Sequence, residues 1–220
     1  IPEDTHPNAV IRMLGNLHRL GSSFSELADG TSIVPSITPV LEHVKDDLYS
    51  VSLELPAGLD LRYKYSIGDG FVNAEHAADS TFKVRQLIVP GRDTIIRDQI
   101  ESWYSSGSAP VQFRVAVPPN TPTSDSISIQ FNPYAWMQPI PMWKNGENEW
   151  TYTLYGPFDY LDQSQYRFCR NEACGISDDA ITRGVNGLGY LLDLTNGTPL
   201  TINYQIAQWH GLQDVKYNVD

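Results

Sequence analysis

The plainest chemistry in the chain belongs to Cys169 and Cys174, and their C-x4-C spacing limits what that chemistry is. A zinc site wants four ligands, and the nearest histidine in sequence, His210, is far from the pair. The C-x-x-C spacing of a redox pair is absent. Two readings remain: a disulfide across the loop Arg170-Asn171-Glu172-Ala173, formed in an oxidising compartment, or two free thiols. The disulfide is the one expected, and so small a ring stabilises by about 2 kcal/mol on the chain-entropy model. The histidines are His6, His18, His43, His76 and His210, and none sits beside a nucleophile in a familiar motif. Ser22-Ser23 lacks the Gly-x-Ser-x-Gly elbow. Glu75-His76 and Asp178-Asp179 put carboxylates near turns, but a glycosidase needs two carboxylates at a fixed gap, which the sequence does not supply. They read as solvated loop charges, or at most a weak calcium site. No catalytic residue, cofactor or metal is assigned, and the chain is read as a non-enzyme. Asn196-Gly197-Thr198 fits a glycosylation acceptor.

The elements that would carry these residues are short strands. Across 220 residues only 19% are charged, while Pro (15), Gly (16) and Tyr (12) are plentiful, which favours strands joined by turns. The net charge of −11 repels nucleic acid and anionic membrane at long range, so neither is an expected partner. No apolar run approaches the roughly 18 residues of a membrane span. Period-two alternation marks Val51, Leu53 and Leu55 against Ser50, Ser52 and Glu54, and Phe113, Val115 and Val117 against Gln112, Arg114 and Ala116. Turn signals fall at Pro56-Ala57-Gly58, Gly68-Asp69-Gly70, Asn145-Gly146 and Asn196-Gly197.

The chain also repeats itself. Tyr49–Pro56 lies against Trp150–Pro157 at an offset of 101, Arg62–Tyr65 against Gln165–Phe168 at 103, and Gln99–Trp103 against Gln205–Trp209 at 106. At the front, Ile1-Pro2-Glu3-Asp4-Thr5 lies against Val117-Pro118-Pro119-Asn120-Thr121 at 116. Four matches in one order indicate a duplicated unit. The expectation is an all-β chain of two tandem immunoglobulin-like antiparallel sandwiches, residues 1–109 and 110–210, followed by a C-terminal strand at 211–220. Residues 105–110 read as the linker.

Leu48–Gly58 followed by Leu61–Tyr65, Val10–Asn16 with Leu20-Gly21, and the closing Ile96–Trp103 resemble the starch-binding domains of carbohydrate-binding module family 20. The resemblance covers residues 1–103 and, more weakly, 111–209. It implies this sandwich fold and a sugar platform of two tryptophans, one after the Leu-Gly turn and one after the Asp-Gly turn. Repeat 1 places Ser23 and Ala74 there, and repeat 2 places Ser177 at the second. Tyr134 and Trp136, near the first position of repeat 2, are the sugar-binding candidates, with a polysaccharide as the partner. Their other reading is loop aromatics capping the core or the domain junction. Trp143 aligns with Leu41, Trp150 with Tyr49 and Trp209 with Trp103, all read as core.

Repeat 2 opens with a strand, Val111–Val117, but Ile1 aligns with Val117, so repeat 1 lacks its first strand. After Trp209 the tail carries Val215, Tyr217 and Val219, which match Val111, Phe113 and Val115 at an offset of 104. A sandwich missing an edge strand exposes an apolar groove, and a free strand of the right pattern would cure it. Three arrangements follow. The tail enters repeat 1 of a neighbouring copy and builds a head-to-tail homopolymer, it enters its own repeat 1, or the chain is cut from a longer array of repeats. The first makes an extracellular or cell-surface structural subunit; the last favours a tandem glycan-binding segment of a larger carbohydrate-active protein.

Overall fold

The alternation read from the sequence sets the strands. In a computed structural model, which describes residues 1–21, 34–104, 110–156, 161–180 and 189–212, the chain is all-β and its sheets are built from antiparallel pairs. Helix among the described residues is confined to two 3-10 turns, His18–Leu20 and Pro35–Ile37. None is long and apolar enough to cross a membrane. Two compact units result, Ile1–Val111 with Thr153–Asp159, and Gln112–Tyr152 with Tyr160–Asp220.

The first unit contains β1 (Arg12–Gly15), β2 (Glu42–Lys45), β3 (Leu48–Ser50), β4 (Asp60–Ser66) and β5 (Arg85–Ile88). Strands β1, β4 and β5 form one sheet in the order β1-β4-β5, and β2-β3 is a separate hairpin. The second unit is built from β6 (Val111–Ala116), β7 (Ile127–Asn132), β8 (Ile140–Pro141), β9 (Trp143–Lys144), β10 (Glu149–Leu154), β11 (Gln165–Arg170), β12 (Tyr190–Leu191) and β13 (Leu200–Gln205), save that Val111 of β6 and Thr153 and Leu154 of β10 group with the first unit. These make two four-stranded sheets, β13-β6-β10-β9 and β12-β11-β7-β8. Strand β6 shows why: Val111, Phe113 and Val115 are buried while Arg114 is exposed, the period of a half-buried strand. The turn signals fall where the chain reverses, and Gly58, at φ +80°, takes a conformation that side chains with a Cβ avoid.

The repeat is visible in the register. Met13 pairs with Tyr65 as Ile129 pairs with Phe168, offsets of 116 and 103. Arg12 bridges Val40 as Ser128 pairs with Pro141. The Trp103 indole donates to Thr5 Oγ1 at 2.7 Å, and the Trp209 indole to Thr121 Oγ1 at 2.9 Å. Trp103, Trp143 and Trp209 are core. Two details of the alignment change. The Leu41 N–H bonds Ile11 O as the Met142 N–H bonds Ile127 O, both at 2.8 Å, so Leu41 matches Met142 and not Trp143. Trp150 is half-exposed, with the Lys144 ammonium 5.7 Å from its ring centroid, and is not a core residue. The linker at 105–109, Ser22, Ser23 and the tail residues Val215, Tyr217 and Val219 lie outside the described residues.

Candidate functional site

The two units differ at the place of β6. In the second, β6 is a central strand, hydrogen-bonded between β10 and β13. Its counterpart in the first unit was expected as an edge strand; the second unit shows that the position is central. The matching neighbours in the first unit are residues 48–55 and 94–99. Beyond β3, these segments have no strand partner among the described residues. Val51, Leu53 and Leu55 are half-buried with Ser52 and Glu54 exposed, so the side chains alternate as in a strand. Opposite, Ile95 is 84% exposed and Ile96 46%. A wide cavity of about 610 Å³ adjoins Tyr49 and is lined in part by Ile1, Pro2, His6 and Leu41.

A charged cluster joins β5 to the 94–99 segment. The Arg85 guanidinium pairs with Glu75 Oε2 and, through Nε at 3.1 Å, with Asp98 Oδ1. Its Nη2 donates to Gln99 O at 2.8 Å. The phenols of Tyr63 and Tyr65 both donate to Asp98 Oδ2 at 2.9 Å. Burial, then the bond and charge of Asp98, raise the pKa of Tyr63; burial and the Asp98 charge do the same for Tyr65. Glu75 is fully buried, and burial raises its pKa against the pull of Arg85. Its Oε1 has no hydrogen-bond partner.

The same places in the second unit are aromatic. Tyr166, Phe168, Tyr190 and Tyr204 stand where the first unit has Tyr63, Tyr65, Arg85 and Asp98. Phe168 and Tyr204 stack at 5.8 Å, and Tyr190 lies 4.6 Å from Tyr204. Asp179 accepts the Tyr190 phenol, whose pKa is raised by burial first and by that bond second. Phe113 of β6 closes the cluster, 5.2 Å from the Tyr166 ring and 5.9 Å from Phe131.

The carboxylates expected as solvated loop charges are buried instead. Glu75, Asp178 and Asp179 have no exposed surface, and His76 is buried, its ring 4.5 Å from that of Phe82. Asp178 accepts Arg167 Nη1 at 3.3 Å and the Gly175 N–H at 2.6 Å. Each carboxylate is committed to a neighbour, which makes these groups structural. Sequence reasoning missed them because their partners come from other strands.

Cys169 and Cys174 form a disulfide, with Cα atoms 5.1 Å apart. Asn171 and Glu172 in its loop take positive φ, the geometry of a tight reversal. Among the described residues Cys169, Cys174 and Asp178 bring three metal-type ligand atoms within 4.8 Å of one another, but the bridge leaves no thiolate to ligate. Tyr134 is 91% exposed. Trp136 is half-exposed, with the Arg167 guanidinium 4.0 Å from its ring centroid, so one face is already covered. Ala74, at the second platform position, is fully buried. Asn196 is exposed in a turn.

No model of a known protein family matches the sequence, and no curated protein matches it either.

Proposed function

We propose that this chain is a non-catalytic structural subunit whose first unit takes a β-strand from a neighbouring copy, so that copies join head to tail into an extracellular filament or surface array. One observation carries this reading. The place held in the second unit by β6, between β10 and β13, has no strand among the described residues of the first. An open pair of strand edges invites pairing with another chain. Residues 213–220 carry the matching alternation, and burying Val215, Tyr217 and Val219 would contribute about 1.5–3 kcal/mol each. A contact of one surface with a different surface on the next copy gives an open filament where the rotation between copies does not close a ring. The disulfide supports an oxidising, extracellular setting.

A second reading is a tandem starch- or glycan-binding segment of a larger protein. The resemblance to starch-binding domains and the exposure of Tyr134 favour it. On this reading Tyr134→Ala with Trp136→Ala abolishes retention on insoluble starch; a structural subunit is indifferent.

Light scattering of the native particle, with the intact mass of its denatured chain, tests the proposal. Long particles that denature to chains of about 24.6 kDa, and that vanish when residues 213–220 are deleted, are the expected result. A native mass of one chain would overturn it, because the strand would then come from within. A heavier denatured chain would move the glycan-binding reading ahead.

A further inference from the structure

We propose that the strand entering the first unit docks in one register, in which Asp220 of a second copy lies against Ile1, and Val215, Tyr217 and Val219 take the places that Val111, Phe113 and Val115 hold in the second unit. This inference rests on the strand-donation reading and deepens it.

Backbone bonds of the second unit mark where its central strand ends. The Val117 N–H donates to Asn148 O and the Ile206 N–H to Ala116 O, both at 2.9 Å. Thr151 Oγ1 donates to Phe113 O at 3.0 Å. From Val117 back to Phe113 the chain therefore runs against β10, and Arg114 faces Thr151.

The first unit repeats the first of these bonds. The offset of 116 makes Ile1 the counterpart of Val117, and the offset of 101 makes Asp47 the counterpart of Asn148. The Ile1 nitrogen donates to Asp47 O at 3.3 Å. The turn that follows is shared too: the Thr5 N–H bonds Pro2 O at 3.1 Å as the Thr121 N–H bonds Pro118 O at 2.9 Å. Ile1 thus stands at the place of Val117, and the place of Ala116 lies immediately before it. The second bond is missing. Ile100, the counterpart of Ile206, is buried, and its N–H has no backbone acceptor among the described residues.

These marks leave the tail one register. At the offset of 104, Asp220 falls at the place of Ala116, where its backbone oxygen meets the Ile100 N–H. A slip of one residue would turn Val215, Tyr217 and Val219 to the other face. A slip of two toward Ile1 would set Val219 and Asp220 on places that Ile1 and Pro2 already occupy. A slip of two the other way would leave the place of Val115, buried in the second unit, without a side chain.

Cysteine pairs read the register. In it Asn218 takes the place of Arg114, which is exposed, and faces Ser50, the counterpart of Thr151. Ser50 and Ser52 are both exposed. Directly opposed residues of an antiparallel pair bring their Cα atoms to about 4.5–5.5 Å, within reach of a disulfide, whereas a diagonal neighbour lies about 7–8 Å away. Chains carrying Ser50→Cys are refolded from denaturant with chains carrying Asn218→Cys, oxidised mildly, and run on a denaturing gel without reductant. We expect a two-chain product that reductant separates and that neither variant gives alone, and its loss when Ser52→Cys replaces Ser50→Cys. Product from Ser52→Cys equal to or above that from Ser50→Cys would overturn this register and leave strand donation standing. No product from either mixture would overturn strand donation between copies, and this inference with it.

Discussion

The two units share a register and differ in how they close their interiors. Both hang a buried tryptophan on a threonine, Trp103 on Thr5 and Trp209 on Thr121. Both bury a cation on the strand that ends the repeat's second match, Lys64 in β4 and Arg167 in β11. The second unit then sets the rings of Tyr190 and Tyr204 beside β11, whereas the first has Arg85 and Asp98 at the matching places beside β4. The difference teaches that the pairing of the shared sheet does not depend on what fills the space beneath the other sheet. That sheet has β6 as a central strand in the second unit, whereas the first has no strand at that place among the described residues.

Single substitutions sharpen the comparison. Phe113→Ala empties a fully buried site and should cost about 3–5 kcal/mol at any protein concentration. Leu53→Ala in the first unit should cost about 1 kcal/mol while its edge is open and about 2–5 kcal/mol once a strand covers it. Urea unfolding at low and high protein concentration separates the two. A concentration-independent Leu53→Ala effect would mean the edge never gains a cover from another copy.

Asp178→Ala should be comparably severe, about 3–5 kcal/mol, because it removes the carboxylate paired with the buried Arg167 guanidinium. Reducing the disulfide, or Cys169→Ser with Cys174→Ser, should cost the second unit about 2 kcal/mol and leave the first unchanged. Hydrogen exchange resolved to each unit reads both effects.

The smallest effect distinguishes the two buried cations by pH. Burial lowers the Lys64 pKa to about 8 from an ordinary 10.5, so between these values the unfolded chain binds more protons and stability rises with pH. Relative to Lys64→Met, the native chain should gain on the order of 2 kcal/mol from pH 8 to 10. Arg167 stays charged throughout and gives its unit no such slope. Above the ordinary value of 10.5 the unfolded chain loses this proton as well, so the window closes there. A flat difference between native and Lys64→Met melts would show that the ammonium is not desolvated.

Much of this was legible in the sequence, for local reasons. Alternation placed β6, and short-range turn chemistry placed Gly58 and the Asn145-Gly146 reversal. The C-x4-C spacing suited a hairpin bridge. What failed was non-local. Glu75, Asp178 and Asp179 looked like loop charges because Arg85, Arg167 and Tyr190, which hold them, lie elsewhere in the chain. Matching Trp143 to Leu41 maximised apolar similarity, while backbone bonds from Ile11 and Ile127 shift the match by one residue. The missing strand read as an edge because one repeat's sequence does not give strand order; the sheet β13-β6-β10-β9 does.

The central claim is that a docked strand completes the first unit's sheet in the native particle. Amide hydrogen exchange on that particle tests it most directly. The account predicts that amides in 51–55 and 94–99 exchange as slowly as those of β10 and β13, and that deleting residues 213–220 returns them to the rate of open chain. Fast exchange at both segments in the intact native particle would contradict it.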